Sequence, residues 1–282
     1  MKVLAVGAAG ASAGLVTRAL SAKGVEVRGL VHSAQRAAAA RENGATETVV
    51  ADLGDKAALV AALGGVDGVF HVVPAFVPDE AATGLVMVEA AVEAGVRRLV
   101  FSGVYHPSLL SLSNHRDKQP VEQAIYDSEL EFTVLQPAMF MAQLGGYLDG
   151  ALSQGVIAGP YSADSKMAYV DYRDVAEAAA LALTTDRLLG GTFELAAAGE
   201  FSRHDIAREL SRLLGREVRA EGAEPAGLDP RMPAPLREGL QRMFHHYEVA
   251  GLRGGNSLVL DTILQRPATT VPAYLRELVT RP

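Results

Sequence analysis

Short apolar runs and longer amphipathic segments alternate through the first half of the chain. The runs KVLAV, VEVRGLV, TETVVADL, DGVFHVV, RRLVFSGV and EFTVLQPA are rich in β-branched residues. Between them, Ala- and Leu-rich stretches repeat at helical spacing, as in Leu15/Val16/Ala19/Leu20 and Leu85/Val88/Val92. Continuous apolar strands separated by helices predict a parallel sheet covered on both faces, because each parallel connection crosses over the sheet. Gly24, Gly44, Gly65 and Gly95 stand at or just before new strand regions, where a helix end often needs a left-handed residue. The sheet is expected to run to about residue 138.

Past that point the pattern loosens. A helix is expected to begin near Asp174, in YVDYRDVAEAAALAL, and GGTFEL reads as a strand. Ser202 with Asp205 three residues on approximates a capping box at the start of another helix. EGAEPAGLDPRMPAP is rich in Pro and Gly and reads as a surface connection, followed by a helix over about 236–250. The expected division is a nucleotide-binding core over 1–155 and a substrate lobe over 156–282, with about 168–198 returning to the core.

The first strand runs into VGAAGASAG. After a strand, Gly7 permits a tight turn and Gly10 lets the backbone approach a pyrophosphate. Ala13, followed by Gly14, stands where helix and strand pack closely, and the helix N-terminus offers N–H groups to phosphates. An ordinary tight turn needs the same small residues. The position of this one, ahead of several βα units, favours a dinucleotide cradle made of Gly7, Ala9, Gly10, Ala11, Ser12 and Ala13.

The end of the second strand bears on the choice of nucleotide. A carboxylate there would bind the ribose 2′-hydroxyl of NAD, and a basic residue the 2′-phosphate of NADP. The chain has His32, Ser33 and Arg36, with no Asp or Glu between Glu26 and Glu42. Residues 1–36 carry a net of +4 in a protein whose formal net charge is −7. Arg36, His32 and Ser33 are therefore assigned to the phosphate, with Arg18 and Lys23 left as solvated side chains. Asp52 and Leu53, after the third strand, are placed to meet the adenine ring.

Composition narrows the function classes. A chain of 282 residues with 49% hydrophobic residues can bury a full core. The acidic balance argues against a nucleic-acid partner, which would require a basic field. With no cysteine, disulfides, thiolate nucleophiles and Cys–metal sites are excluded. No run reaches the length of a membrane span, and the N-terminus lacks the form of a signal peptide. The expectation is a cytoplasmic protein acting on a small molecule, without membrane or nucleic-acid partners; a homodimer is left open.

At this point a family resemblance emerges. VGAAGASAG, VVADLGD, VFHVVP, VEAAVEAGVRRLVFSGVYHP, HRDKQPVEQAIYDSELEFTVLQPAMFM and YVDYRDVAEAAALAL, with GGTFELAAAGEFSRHDIARELSRLLGREV near the end, resemble the NmrA-like branch of the atypical short-chain dehydrogenases/reductases. That branch includes NAD(P)H:quinone oxidoreductases and catalytically silent redox-sensing regulators. The resemblance implies a Rossmann-like, doubly wound α/β core with a smaller C-terminal lobe, and a nucleotide lying across the C-terminal strand edges; the residues after the second strand make NADP(H) the preferred cofactor, with NAD(H) possible. The resemblance adds Val72, Val73, Pro74, Ser102, Gly103, Gln136, Pro137, Ala138 and Phe140 to the candidate cofactor contacts. Met139, Phe140 and Met141 read equally as core packing or as an apolar wall beside the nicotinamide.

The departures from the family pattern shape the chemistry. Most short-chain reductases pair a Tyr with a Lys four residues later, and place a hydroxyl after the fifth strand. Lys118 stands at the Lys position, but Asn114 stands where the Tyr would be and Val104 at the hydroxyl. Lys118 is expected to orient the nicotinamide ribose, the alternative being a solvated helix lysine. Tyr105 and His106, after the fifth strand, and His115 beside Lys118 are candidate proton donors. His245 and His246 diverge by about 100° on a helix and suit a metal poorly, so no metal site is assigned. Asp174 reads as a helix-start residue rather than half of a carboxylate pair with Asp171.

A quinone makes the smallest demand on such residues: it is electron-poor and needs only orientation, hydride and a hydrogen-bond donor. The leading expectation is therefore an NADPH-dependent oxidoreductase acting on quinones or similar conjugated acceptors. The alternatives are a non-catalytic nucleotide-binding redox sensor and a biosynthetic tailoring enzyme that reuses the reductase fold.

Overall fold

Each of the six apolar runs forms a strand. The computed structural model describes residues 1–222 and 228–280. In chain order the elements begin β1 (Lys2–Val6), α1 (Ala13–Ala22), β2 (Glu26–Val31), α2 (Ala37–Glu42), β3 (Glu47–Val50) and α3 (Lys56–Leu63). They continue β4 (Gly68–Val72), α4 (Glu80–Glu93), β5 (Arg98–Ser102), α5 (Ser113–Arg116), α6 (Gln119–Tyr126), β6 (Glu131–Pro137) and β7 (Met139–Phe140). Then come α7 (Leu144–Gln154), β8 (Val156–Gly159), β9 (Met167–Val170), α8 (Tyr172–Thr184), β10 (Gly191–Leu195) and β11 (Glu200–Phe201). The chain closes with α9 (Arg203–Leu214), β12 (Arg219–Gly222), α10 (Ala234–Ala250), α11 (Leu258–Leu264) and α12 (Val271–Thr280).

The main sheet has the order β10-β6-β5-β4-β1-β2-β3. Its five pairings from β6 through to β3 are parallel. The chain winds outward from β1 to β3, then returns beside β1 and winds the other way through β4, β5 and β6. The order therefore reverses between β1 and β4, the point in an open α/β sheet where a ligand crevice opens. Leu4, Val6, Val69, Leu99, Phe101 and Val134 pack with Leu59, Leu63, Met87, Val121 and Ile125 of α3, α4 and α6. Their strand neighbours Val3, Ala5, Phe70, Val100 and Leu135 point the opposite way and are equally buried. Both faces are covered, which is why these strands read as continuous rather than alternating apolar runs. Gly24, Gly44, Gly65 and Gly95 all adopt positive φ.

Arg98 shows how β5 and β6 are tied to the end of α8. Fully buried, it reaches Glu131 at 2.6 Å, Asp186 at 2.6 Å and the Thr185 carbonyl at 2.7 Å. The two carboxylates offset the cost of taking its charge out of water.

The chain divides into two compact units: Met1–Gln136 with Val175–Glu194, and Pro137–Asp174 with the chain from Leu195 onward. The first break thus comes at 136, earlier than the expected 155. Pro137 ends β6, having no N–H to continue a ladder, and β7 just beyond it pairs with β9 instead. α7 consequently belongs to the second unit. The part that returns to the core is 175–194.

In that second unit, Ser202 and Asp205 form a reciprocal capping box at the start of α9. Arg203 lies buried with its guanidinium 4.9 Å above the Tyr161 ring. Residues 223–227 of the expected Pro- and Gly-rich connection lie outside the described residues.

Candidate active site

The turn after β1 is set by Gly7, whose φ of +71° is left-handed. The Gly10 N–H donates to the Gly7 carbonyl at 2.8 Å, and the Gly14 N–H to the Gly10 carbonyl at 3.0 Å. Gly14, next to the expected Ala13, packs closely against the turn and Asn43. A Cβ on Gly14 would collide with the Asn43 side-chain amide and lie 3.0 Å from the Ala8 carbonyl. Ala11, Ser12 and Ala13 carry the chain into α1, and the Ser12 side chain caps nothing.

Beside this turn lies a cavity of about 590 Å³ at the C-terminal ends of β1 to β4. Gly7, Ala9 and Gly10 form one side, His32 and Arg36 another, and Asp52 and Leu53 a third. Val72 and Pro74 complete the expected set that shares it. Arg36 Nη2 donates to the Ala9 carbonyl at 2.6 Å, so the guanidinium reaches across the mouth of the turn. Asp52 is occupied locally, its Oδ1 accepting from the Gly54 N–H at 2.7 Å. Ser33 is not among the lining residues; it precedes the 3-10 turn Ala34–Arg36.

Sequence reasoning missed Leu30, Val31, Ala51, Val77, Pro78 and Thr83, which also line the cavity. The first three end β2 or follow β3 and could have been found from strand position. The last three come from the loop after β4 and the first turns of α4, where chain order carries no such signal.

The remaining candidates of the first unit gather in a second cluster. Lys118 is buried, not solvated: Nζ donates to the Val73 carbonyl at 2.9 Å and pairs with Glu80 at 2.7 Å. Burial pulls the lysine below its ordinary range against the opposing pull of Glu80, and it pushes Glu80 up. Gln136 Nε2 donates to both oxygens of Glu122 at 3.0 Å, and burial raises that carboxyl. Ser102 ends β5, and the Gly103 N–H donates to the Leu135 carbonyl at 2.8 Å. Beneath them His71 is fully buried, its Nε2 bonded to the Gly84 carbonyl; desolvation lowers it to about 3, so it stays neutral.

His106 is held from several sides. Its Nδ1 donates to Glu194 at 2.7 Å, its ring lies 3.8 Å from that of buried Tyr105, and its carbonyl accepts from His115 Nδ1 at 3.1 Å. Its φ of +52° is a left-handed conformation unusual outside glycine. Glu194 carried no signal in the sequence, lying 88 residues from its partner.

The other candidates sit in the second unit. The Ala138 N–H donates to the Leu195 carbonyl, following Pro137, and Phe140 meets Tyr172 edge-on at 4.6 Å. Asp171 pairs with Arg173, whereas Asp174 accepts from Arg266 and the Thr269 N–H, so the two carboxylates serve separate partners. Among the described residues no group of three or more His, Asp or Glu could hold a metal ion, and no helix is long and apolar enough to cross a membrane.

Comparison with known proteins adds three relatives to this geometry. The NmrA-like family matches residues 1–275. An NAD(P)H azoreductase from Xenophilus azovorans is 29% identical over 97% of this chain and 96% of its own. A (4-alkanoyl-5-oxo-2,5-dihydrofuran-3-yl)methyl phosphate reductase from Streptomyces griseus is 35% identical over 79% and 83%. The crystal structure of an NADPH-dependent quinone oxidoreductase from Escherichia coli, complexed with NADPH, superposes with a TM-score of 0.83 at 25% identity, covering 99% of this chain and all of the other.

Proposed function

The chain belongs to the NmrA-like family, and from that premise we propose that it is an NADPH-dependent oxidoreductase passing hydride to a quinone or similar conjugated acceptor. The observation that carries the reading is the cavity at the β1–β4 edge. A left-handed Gly7 opens its turn, and Arg36 and His32 stand at the end of β2 where an NAD site would carry a carboxylate. A Cβ at Gly10 would lie 3.1 Å from the Gly7 carbonyl, so the turn is already as tight as side chains allow. These residues fit a dinucleotide with a 2′-phosphate.

The three relatives support the acceptor class, since a quinone, an azo compound and an unsaturated furanone are all conjugated and electron-poor. When bound, the nucleotide supplies the hydride. The chain supplies the rest. Arg36 and His32 hold the phosphate, Gly7 and Gly10 admit the pyrophosphate, and Lys118 orients the ribose. Reduction of such an acceptor by one hydride also takes up one proton. His106, as an imidazolium whose Nδ1–H is held by Glu194, is the assigned donor and gives up the proton on Nε2, and Tyr105 supports its ring. No Tyr–Lys relay is invoked: Asn114 carries an amide, which is no acid, and its buried Oδ1 accepts no hydrogen bond among the described residues.

NADPH absorbance followed against a panel of quinones, azo dyes and unsaturated lactones, beside a calorimetric titration, tests the proposal. Acceptor-dependent oxidation is expected. Tight NADPH binding with no turnover on any acceptor would replace the enzyme by a nucleotide sensor.

A further inference from the structure

We infer that Glu80 is a positioning residue for Lys118, supplying the counter-charge that holds its ammonium in place and tying it to the loop that walls the cavity. The inference rests on the cofactor reading above and deepens it. Nothing in the sequence marks Glu80, which follows Asp79 at the start of an Ala-rich helix.

The geometry is specific. The Lys118 and Glu80 side chains are only 5% and 2% exposed, and Nζ lies 2.7 Å from Oε1. Oε1 accepts no other hydrogen bond among the described residues. Oε2 accepts from the Phe76 N–H at 2.8 Å. Phe76 and Asp79 both have positive φ, at 60° and 51°, although neither is glycine. Such backbone persists only where the surroundings hold it, and the Glu80 bond is part of what holds it. Pro74, Val77 and Pro78 of this same loop line the cavity. One carboxylate thus joins the cavity wall to the lysine.

Lys118 needs such a partner. It is the N-cap residue of α6, next to the positive end of a helix dipole, which disfavours a cation. It is also out of water, which disfavours any charge. Few other groups can offset this. Asp117 contributes an attraction from the neighbouring position; His71 on β4 is neutral; Glu122, one turn along α6, is engaged by Gln136. Glu80, as the first residue of α4, lies at a helix N-terminus that favours its negative charge.

Glu80→Gln tests this, because the amide oxygen can still accept from Phe76 while the charge is gone. Calorimetric NADPH affinity of wild type and variant is compared at each pH between about 6 and 9. The expected result is a roughly tenfold or greater loss near neutrality that shrinks to a few-fold as pH falls and Lys118 regains its proton. Glu80→Asp should recover part of the affinity. In a Lys118→Met background, Glu80→Gln should cost little more. A wild-type affinity for Glu80→Gln, a loss equal at every pH, or full additivity with Lys118→Met would overturn the inference, with a thermal melt confirming that each variant is folded. Binding is read without turnover, so a wild type that binds NADPH but reduces nothing would sink the oxidoreductase reading and leave this test intact. A wild type that does not bind NADPH would overturn both.

Discussion

The side-chain amide of Asn43 donates to the Ala8 carbonyl at 2.8 Å while its oxygen accepts from Arg18 Nε, also at 2.8 Å. Asn43 is buried just after α2, and Ala8 follows Gly7 in the turn beside the cavity. The turn is therefore braced from behind by a residue 35 positions away. Asn43→Ala should lower stability by about 1–3 kcal/mol, because the Ala8 carbonyl loses its partner in a buried place. It should weaken NADPH and NADH alike, since the turn serves the part common to both. Denaturant midpoints and paired titrations check this; a normal affinity for both nucleotides would remove Asn43 from the account.

Arg36 should behave in the opposite way. A charge-assisted bond to the 2′-phosphate is worth about 1.5–3 kcal/mol, so Arg36→Ala should reduce NADPH affinity roughly ten- to a hundredfold while NADH barely responds. Equal losses for the two nucleotides would show that Arg36 only props the turn through the Ala9 carbonyl.

His106 and Glu194 can be separated from hydride transfer by the choice of acceptor. A quinone takes up a proton with the hydride, whereas a stable carbocation takes up hydride alone. His106→Asn should slow quinone reduction by about a hundredfold, leave reduction of an acridinium cation within a few-fold of wild type, and be restored in part by added imidazole. Glu194→Gln should show the same selectivity to a smaller degree. Equal losses on both acceptors would mean that the imidazole is not the acid.

His71 makes the fold acid-sensitive. Its folded-state pKa, lowered to about 3, lies below the ordinary value of 6.5, so between these values the unfolded chain binds more protons than the folded one. Stability from this residue is complete above about pH 6.5 and is lost as pH falls toward 3, on the order of 3 kcal/mol by pH 4. Urea midpoints across this range should fall less steeply for His71→Leu than for wild type. Parallel slopes would remove His71 as the cause.

The local features were legible from the chain alone because their causes are local. Parallel strands buried on both faces must be continuous apolar runs, so all six runs from KVLAV to EFTVLQPA could be found by eye. A left-handed turn needs glycine, which marked Gly7, and the Ser202–Asp205 box spans only three residues. The order of strands, the place of β10 beside β6 and the break at Pro137 depend on which surfaces pack. No periodicity in one segment reports that. The same holds for the partners that organise the candidate site: Glu80 with Lys118, Glu194 with His106 and Asn43 with Ala8. Each couples residues far apart in sequence: burial leaves Lys118 and the Ala8 carbonyl few ways to be satisfied, whereas His106 and Glu194 meet where both are still partly exposed. Residue types along the chain determined what chemistry was available. Only the folded sheet, by removing water from chosen carboxylates and carbonyls, decided which of them would meet.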